Sequence, residues 1–465
     1  MNVTTAILSL TVVTSAASLH ATVIGPEMLS AARPHAVHVA PPTGERTRDH
    51  ASIVAAFGQA GPGDTIQFGS GTYIVGEMIQ DSTPGLTLLG AAQGTVLRGC
   101  TPEGYERTRR EERAVMEKAE FGQGRPHLPP ADRARMAKLV KRCGMFQLSG
   151  GHDTVRDLTF GYTRAGLDLG HEYQQGYRPS PGGYLVEGNT FRNSDNGIRI
   201  GLWSPDSSVI RRNTFVDTYH AVMAGGSHID VLENTVLAPA PSHVPADQFP
   251  SLAIAVTAMA GRPGGASPPA GERCRDDVIA GNVIDGYPSG IAMGAAPGMT
   301  CRNNVIRDNT IAVRRVPILP TSVGAGLFPL DDPTDSTWVG VPIRVGGVEE
   351  TRIEGNRVLG AEGYGLSVMH ASHDRIENNT IVGILRREPF PGNANSGPKS
   401  PNANGAGIWV ASGSHDNQLL DNTFEDIATY AVVLEGDRNT VRTLRASDRV
   451  RDLGRGNEVT GSPSH

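Results

Sequence analysis

The chain is poor in several things that would place it quickly. Aromatic residues make up 5% of its 465 residues, too few to argue for a broad sugar-stacking platform, although Trp203 and Trp409 are available as isolated ones. It has 4 cysteines, and only four lysines (Lys118, Lys138, Lys141 and Lys399). Net charge is −6 and no basic face is evident, so the electrostatic footprint of a nucleic-acid binder is missing. Beyond residue 20 no apolar run is long enough to span a bilayer. Long stretches of helix formers are also sparse.

What the sequence does have is 57 Gly, 32 Pro and abundant Asn and Asp, the composition of many short strands joined by tight turns. One phrase recurs: an aliphatic residue, two polar residues, Asn, a small residue and a hydrophobe. It reads VEGNTF (Asn189), IRRNTF (Asn213), VLENTV (Asn234), IAGNVI (Asn282), CRNNVI (Asn304), IEGNRV (Asn356), IENNTI (Asn379) and LLDNTF (Asn422), with VRDLTF placing Leu158 in the Asn slot. Spacings run from 21 residues (Asn213 to Asn234) to about twice that where a turn is hidden or a loop inserted. A period of this size with strand chemistry implies one rung of a β-solenoid per repeat. Rungs stack at about 4.8 Å, so equivalent side chains form ladders. The Asn then has an architectural role, tolerating left-handed backbone and bonding the amide of the next rung.

Around this repeat, residues 1–20 read as a secretion signal, with a short apolar segment at 6–18 but no Lys or Arg before it. Residues 21–48 read as a leader, and 49–465 as the solenoid domain. Asp49, Ile53, Val54 and Phe57 predict a short amphipathic helix with Asp49 as its cap, closing the apolar first coil. Residues 101–142 interrupt the pattern with two charged helical runs, either a solvated hairpin or a lid or partner-binding arm. Cys100 and Cys143 bracket this insertion, and Cys274 and Cys301 bracket one rung. Two disulfides or four unpaired thiols both satisfy the sequence.

The recurring phrase and the GDTI…GTY opening resemble the right-handed parallel β-helix superfamily, which includes pectate lyases, polygalacturonases, alginate epimerases and lyases, and NosD-like proteins. The resemblance covers about residues 50 to 460. It implies an all-β, three-sheet, single-stranded right-handed parallel β-helix, with polysaccharide bound in a groove formed by the third strand of each rung. That strand recurs as GLDLG, GIRIG, HAVMA, GIAMG, PIRVG, GLSVM, GIWVA and AVVLE. Strand alternation puts an outward row at Asp168, Arg199, Val222, an Ala at 253–255, Ala292, Arg344, Ser367, Trp409 and Val433.

Asp168 and Arg199 fall on adjoining rungs, either as a surface ion pair or as an acid beside a carboxylate-binding cation. GHEYQQGY and GLWSPDSS add His171, Glu172, Tyr173, Trp203 and Asp206 to the same patch. The candidate catalytic residues are thus Asp168, His171, Glu172 and Arg199. The candidate substrate-binding residues are Tyr173, Trp203, Asp206, His220, Arg344, His370 and Trp409. Long excursions after 237, 313 and 385 should wall the groove and contribute Asp247, Arg314, Asp331, Asp332, Asp335 and Arg386. His152, His228, His373 and His415 share a register next to Asp residues, which reads as a turn-capping polar ladder rather than a metal site.

The Arg-Pro signature of pectate lyases, the Asn-Thr-Asp, Asp-Asp and Gly-His-Gly set of polygalacturonases and the Asp-Pro-His phrase of epimerases are not found in order. The expectation is a secreted or periplasmic polysaccharide-active protein, either a polyuronate lyase or epimerase or a glycoside hydrolase. Its alternative is a non-catalytic solenoid binding glycan or a protein partner. No cofactor is demanded, with Ca2+ left open, and no oligomeric state is indicated.

Overall fold

The computed structural model describes residues 35–116, 120–122, 125–127, 129–170, 181–201, 207–238, 252–258, 274–287, 289–295, 300–313, 341–386, 400–443, 445 and 448–461. Each rung begins with a strand of about three residues, such as Val209–Arg211, turns a corner at the Asn, and continues into a longer strand such as Thr214–Ala224. A left-handed residue bends that longer strand into two segments (Asn193 at φ 50°, Asp217 at φ 54°), so the coil has three faces. Every rung pairs in parallel with the next: Val186 with Ile210, Ile210 with Val231, Val231 with Ile279. The result is a parallel β-helix.

The interior is filled by these stacked rows. Phe160, Phe191 and Phe215 stack face to face at 4.8 and 4.9 Å, at the position following the Asn and its small residue. The same stack explains the Gly of GLDLG and GIRIG. A Cβ on Gly197 would lie 2.6 Å from Cε1 of Phe215, and one on Gly166 2.8 Å from Cε1 of Phe191.

The Asn ladder is built as the repeat implies, with two differences. Oδ1 of Asn213 accepts the backbone N–H of Asn189 (3.0 Å) and its Nδ2–H (3.1 Å), while Nδ2 of Asn213 donates to the carbonyl of Val186 (2.9 Å). The first difference is that the left-handed residue is the one before the Asn: Arg212, Glu233, Asn378 and Asp421 all have φ of 54 to 55°. That backbone kink turns the Asn amide inward, where it pairs with its neighbours, and leaves the kinked residue's side chain outside.

The second difference is one of register. Asn282 bonds to Asn309 and Asn309 to Asn356, so the slot expected for Asn304 belongs to Asn309 of IRDNTI. Asn304 sits on another ladder at a second corner, with Asp153, Asp277, Asp374, Asn417, Asn439 and Asn457, each immediately preceding the first strand of its rung. His152, His228 and His373 are the left-handed residues of that corner (φ 58, 57 and 58°). His415 stands one residue earlier, with Nδ1 2.9 Å from Oδ2 of Asp416. Among the described residues no group of three or more His, Cys, Asp or Glu is placed to hold a metal ion.

At the N-terminal end, helix α1 (Arg46–Gln59) closes the coil with Ile53, Ala56 and Phe57 buried, whereas Val54 is 44% exposed. Asp49 does not cap the helix. Glu45 occupies that position, and the Asp49 carboxylate accepts the Thr43 N–H (2.7 Å), the Thr43 hydroxyl (2.8 Å) and the Ile74 N–H (2.9 Å), tying the helix to the first coil. Ala36–His38, inside the stretch read as leader, already forms a strand paired with Thr65–Gln67.

The charged insertion contains helices α2 (Pro102–Met116) and α3 (Pro130–Lys141). Disulfides Cys100–Cys143 and Cys274–Cys301 are both formed. Helix α2 is clamped to the solenoid. The Tyr105 hydroxyl donates to Oδ1 of Asp195 (2.6 Å), Arg109 approaches the same carboxylate at 3.4 Å, and Arg164 pairs with both Asp195 and Glu112. A solvated hairpin fails to describe it: α2 is anchored through a buried carboxylate.

Candidate functional site

The third segments of the rungs carry two outward rows. Pairing fixes the first as Gln147, Asp168, Arg199, Met223, Ala255, Ala292, Arg344, Ser367, Trp409 and Val433. Met223 replaces the expected Val222, which pairs with Ile198 and Ile254 and is fully buried in the interior. The second row runs Ala165, Asn196, His220 and Leu252.

These rows set two candidates side by side and place a third further along the groove. Asp168 and Arg199 are paired neighbours, and His220 lies one rung beyond Arg199, three residues before Met223 on its strand, which is about 10 Å along the strand direction. Asp168 is 2% exposed and its Oδ1 has no hydrogen-bond partner. Burial pushes its carboxyl up to about 6, with the nearby Arg199 guanidinium acting in the opposite sense. His220 is buried, and desolvation lowers it to about 4, with Arg199 adding to that effect. Its Nδ1 accepts the Leu252 N–H at 3.4 Å, so the neutral ring carries its proton on Nε2. Tyr219 packs edge-on against the His220 ring at 4.4 Å. Arg199 is the partly exposed member of the trio.

The remaining candidates are dispersed. Arg344 is buried in the same row, four rungs from Arg199 and thus about 19 Å away. Trp409 is 3% exposed; it stacks on Tyr364 at 4.6 Å and donates from Nε1 to Glu435 (3.0 Å), so it packs an apolar cluster with Met369 and Val433 rather than offering an open ring face. His370 is exposed just past the strand Tyr364–Met369, with φ 47°. His171, Glu172, Tyr173, Trp203 and Asp206, and the loop residues Asp247, Arg314, Asp331, Asp332 and Asp335, lie outside the described residues. Arg386 is exposed at the edge of one excursion.

Gln147 and Asn196, which the sequence pattern does not mark as site residues, lie beside Asp168 and His220 in their respective rows. FQL at 146–148 echoes LDL and IRI in hydrophobic alternation, which was the available signal. Asn196 offered none, since it precedes the recurring Gly.

The fold makes this chain a right-handed parallel β-helix protein, and a family model described as "Right handed beta helix region" matches residues 272–445. No curated protein sequence matches the chain. Among solved structures it is similar to the Dettilon tailspike protein (13% identity, 90% of this chain and 68% of that one, TM-score 0.45). It is likewise similar to the A-module of Azotobacter vinelandii mannuronan C-5 epimerase AlgE4 (16% identity, 85% and 95%, TM-score 0.41). A third is the Yersinia enterocolitica family 28 exopolygalacturonase (12% identity, 93% and 79%, TM-score 0.43). Likeness at this level assigns no activity.

Proposed function

We propose that the protein acts outside the cytoplasm on a uronic-acid-containing polysaccharide, by proton abstraction at C5 leading to β-elimination or epimerisation. The observation that carries this reading is the buried carboxylate Asp168 beside the cation Arg199, with the neutral His220 one rung further. Removing a proton α to a carboxylate needs a base and a positive charge that stabilises the resulting enolate. Asp168, raised to about 6 by burial, is a stronger base than an exposed Asp yet still ionised above neutrality. Arg199 neutralises the substrate carboxylate. His220, kept neutral, is a hydrogen-bond donor rather than a second base.

In the eliminative branch, Asp168 takes the C5 proton, the C5–H electron pair forms the C4=C5 double bond, and the C4–O bond breaks. The departing oxygen takes up the proton that Asp168 removed and leaves as a hydroxyl, while His220, further along the groove, is placed to hydrogen-bond a neighbouring sugar unit. In the epimerising branch the carbanion is reprotonated on its other face. Hydrolysis fits less well. Inversion or retention by two carboxyl groups needs a second one within about 5 to 9.5 Å, and Asp168 is the one carboxylate that the two outward rows hold among the described residues. The two disulfides support an oxidising compartment.

The test is incubation with a panel of polyuronates in D2O, reading deuterium incorporation at C5 and the ultraviolet absorbance of an unsaturated uronate. Either signal, lost in Asp168→Asn and Arg199→Ala, supports the assignment. New reducing ends with neither signal indicate a hydrolase, and no change in any polymer leaves the non-catalytic glycan- or partner-binding solenoid.

A further inference from the structure

Helix α2 does more than decorate the solenoid. Where it crosses the bends of successive rungs it roofs a cavity of about 260 Å3, floored by the left-handed corner residues Tyr162, Asn193 and Asp217 and by Tyr219, with Ala238 and Tyr287 at one side. Tyr105, Glu106 and Arg109 of α2 line it as well. This volume lies below the range of about 300–1,000 Å3 typical of drug-sized ligands, which sets the occupant at the scale of one or two small rings.

The wall chemistry narrows the class. Tyr105 and Tyr287 spend their hydroxyl protons on Asp195 and on the Thr218 carbonyl, so what their rings add to the wall is apolar surface. Glu106 and Asp217 bring carboxylate oxygens to the wall, which accept hydroxyl protons, whereas Asp195 is taken up by Tyr105, Arg109 and Arg164. Apolar ring faces mixed with carboxylates are the complement of a pyranose, whose C–H faces stack and whose hydroxyls donate. Asp195 is compensated by Arg164 and Arg109, which leaves the carboxylates of Glu106 and Asp217 to repel an anionic sugar. A cationic ligand is disfavoured because guanidinium groups already lie over two of the rings, Arg109 5.5 Å from the Tyr105 centroid and Arg98 5.9 Å from that of Tyr162, which leaves Tyr219 and Tyr287 as the apolar surface for the sugar.

We infer that the cavity between helix α2 and the rung bends binds one neutral glycosyl unit, making the charged insertion a sugar-binding roof rather than a surface ornament. The site does not depend on the chemistry proposed for Asp168, Arg199 and His220. It does adjoin them, because Tyr219 lines the cavity and its ring contacts that of His220, the next residue. A chain held in both places would be a polymer in which neutral and uronic units both occur.

The experiment is binding, not turnover. The full protein is titrated by calorimetry and saturation-transfer NMR with neutral tetrasaccharides of glucose, mannose and galactose, with uronate tetramers, and with a glucosamine tetramer. Two variants address the cavity. Ala238→Phe fills it from a partly exposed position, and Asp217→Asn removes an acceptor while keeping a residue type that tolerates φ 54°. The expected result is saturable binding of at least one neutral tetrasaccharide, weakened tenfold or more in both variants while thermal unfolding stays that of the parent protein. No neutral binding at millimolar concentration, tighter binding of the uronate or glucosamine tetramer, or unchanged affinity in both folded variants overturns the inference.

Discussion

Asp374 and Asn417 occupy the same slot of the second corner ladder on successive rungs, and they fill it unequally. Oδ1 of Asn417 accepts the Asp374 N–H (2.9 Å) while its Nδ2 donates to the Ala371 carbonyl (3.1 Å). Oδ1 of Asp374 accepts the Thr351 N–H (2.8 Å), but its Oδ2 is buried without a partner. Asp153 and Asp277 repeat the pattern, each with one satisfied and one orphaned oxygen. An Asn places a donor where these Asp residues place a lone pair, so the ladder favours their protonated forms.

The consequence is a dependence of stability on pH. Burial raises Asp374 from 3.8 to about 7. Below pH 3.8 folded and unfolded states are both protonated and the contribution is fully present. Between about 3.8 and 7 only the unfolded state ionises, so stability is lost as pH rises, and above 7 the loss is complete. Asp374→Asn should therefore stabilise the protein at pH 8 by roughly 1–3 kcal/mol, and by less at pH 4.5. Urea unfolding at the two pH values checks this, and equal gains at both would show that ionisation is not the cause.

The first ladder predicts the opposite sign. Asn356 accepts from the N–H and Nδ2 of Asn309 and donates to the Ile306 carbonyl and Asn379. Asn356→Leu strands several of these buried groups and should cost roughly 2–5 kcal/mol. Leu158 shows why the ladder's first slot escapes: the N–H one rung below, that of Ala91, is already bonded to Thr95 Oγ1 (2.9 Å). Comparison of unfolding midpoints for Asn356→Leu and Leu158→Asn tests the asymmetry, with little gain expected from the second.

How much of this was legible follows from where each feature is encoded. The rung repeat is local, so the three-faced parallel coil could be read from it. The register slipped at CRNNVI because two corners use the same chemistry, an amide behind a left-handed residue, and the sequence phrase alone does not separate Asn304 from Asn309. Val222 was exchanged for Met223 because HAVMA has a hydrophobe at both positions, leaving alternation without a marker. Asp168 and Arg199 were legible since they occupy equivalent places in GLDLG and GIRIG. The seat of helix α2 was not, because Tyr105 and Asp195 are 90 residues apart and nothing near either announces the other.

The disulfides separate two mechanical roles. Cys274–Cys301 closes 27 residues and ties one rung to the next, so Cys274→Ser with Cys301→Ser should lower global stability by about 3 kcal/mol. Cys100–Cys143 spans 43 residues and closes the base of the insertion. Its loss should chiefly expose residues 101–142 to protease while the solenoid's melting temperature moves less. Limited proteolysis and thermal unfolding of the two double mutants check the contrast, and identical behaviour would argue against it.

The trio makes the last prediction, in the pH dependence of turnover. If Asp168 is the base, it must be ionised, and its carboxyl is held up to about 6 by burial. The rate should then rise with pH through about 6 and level off above it. His220 loses its charge near 4, below this limb, so it should leave no inflection of its own around neutrality. His220→Gln keeps a neutral donor and should retain a fraction of the rate with the same limb, whereas Asp168→Asn should abolish turnover at every pH. Arg199→Ala removes the charge that favours the ionised carboxylate, so any residual activity should have its acid limb moved upward. An acid limb that stays put in Arg199→Ala, or that moves in His220→Gln alone, would transfer the base from Asp168 to another group.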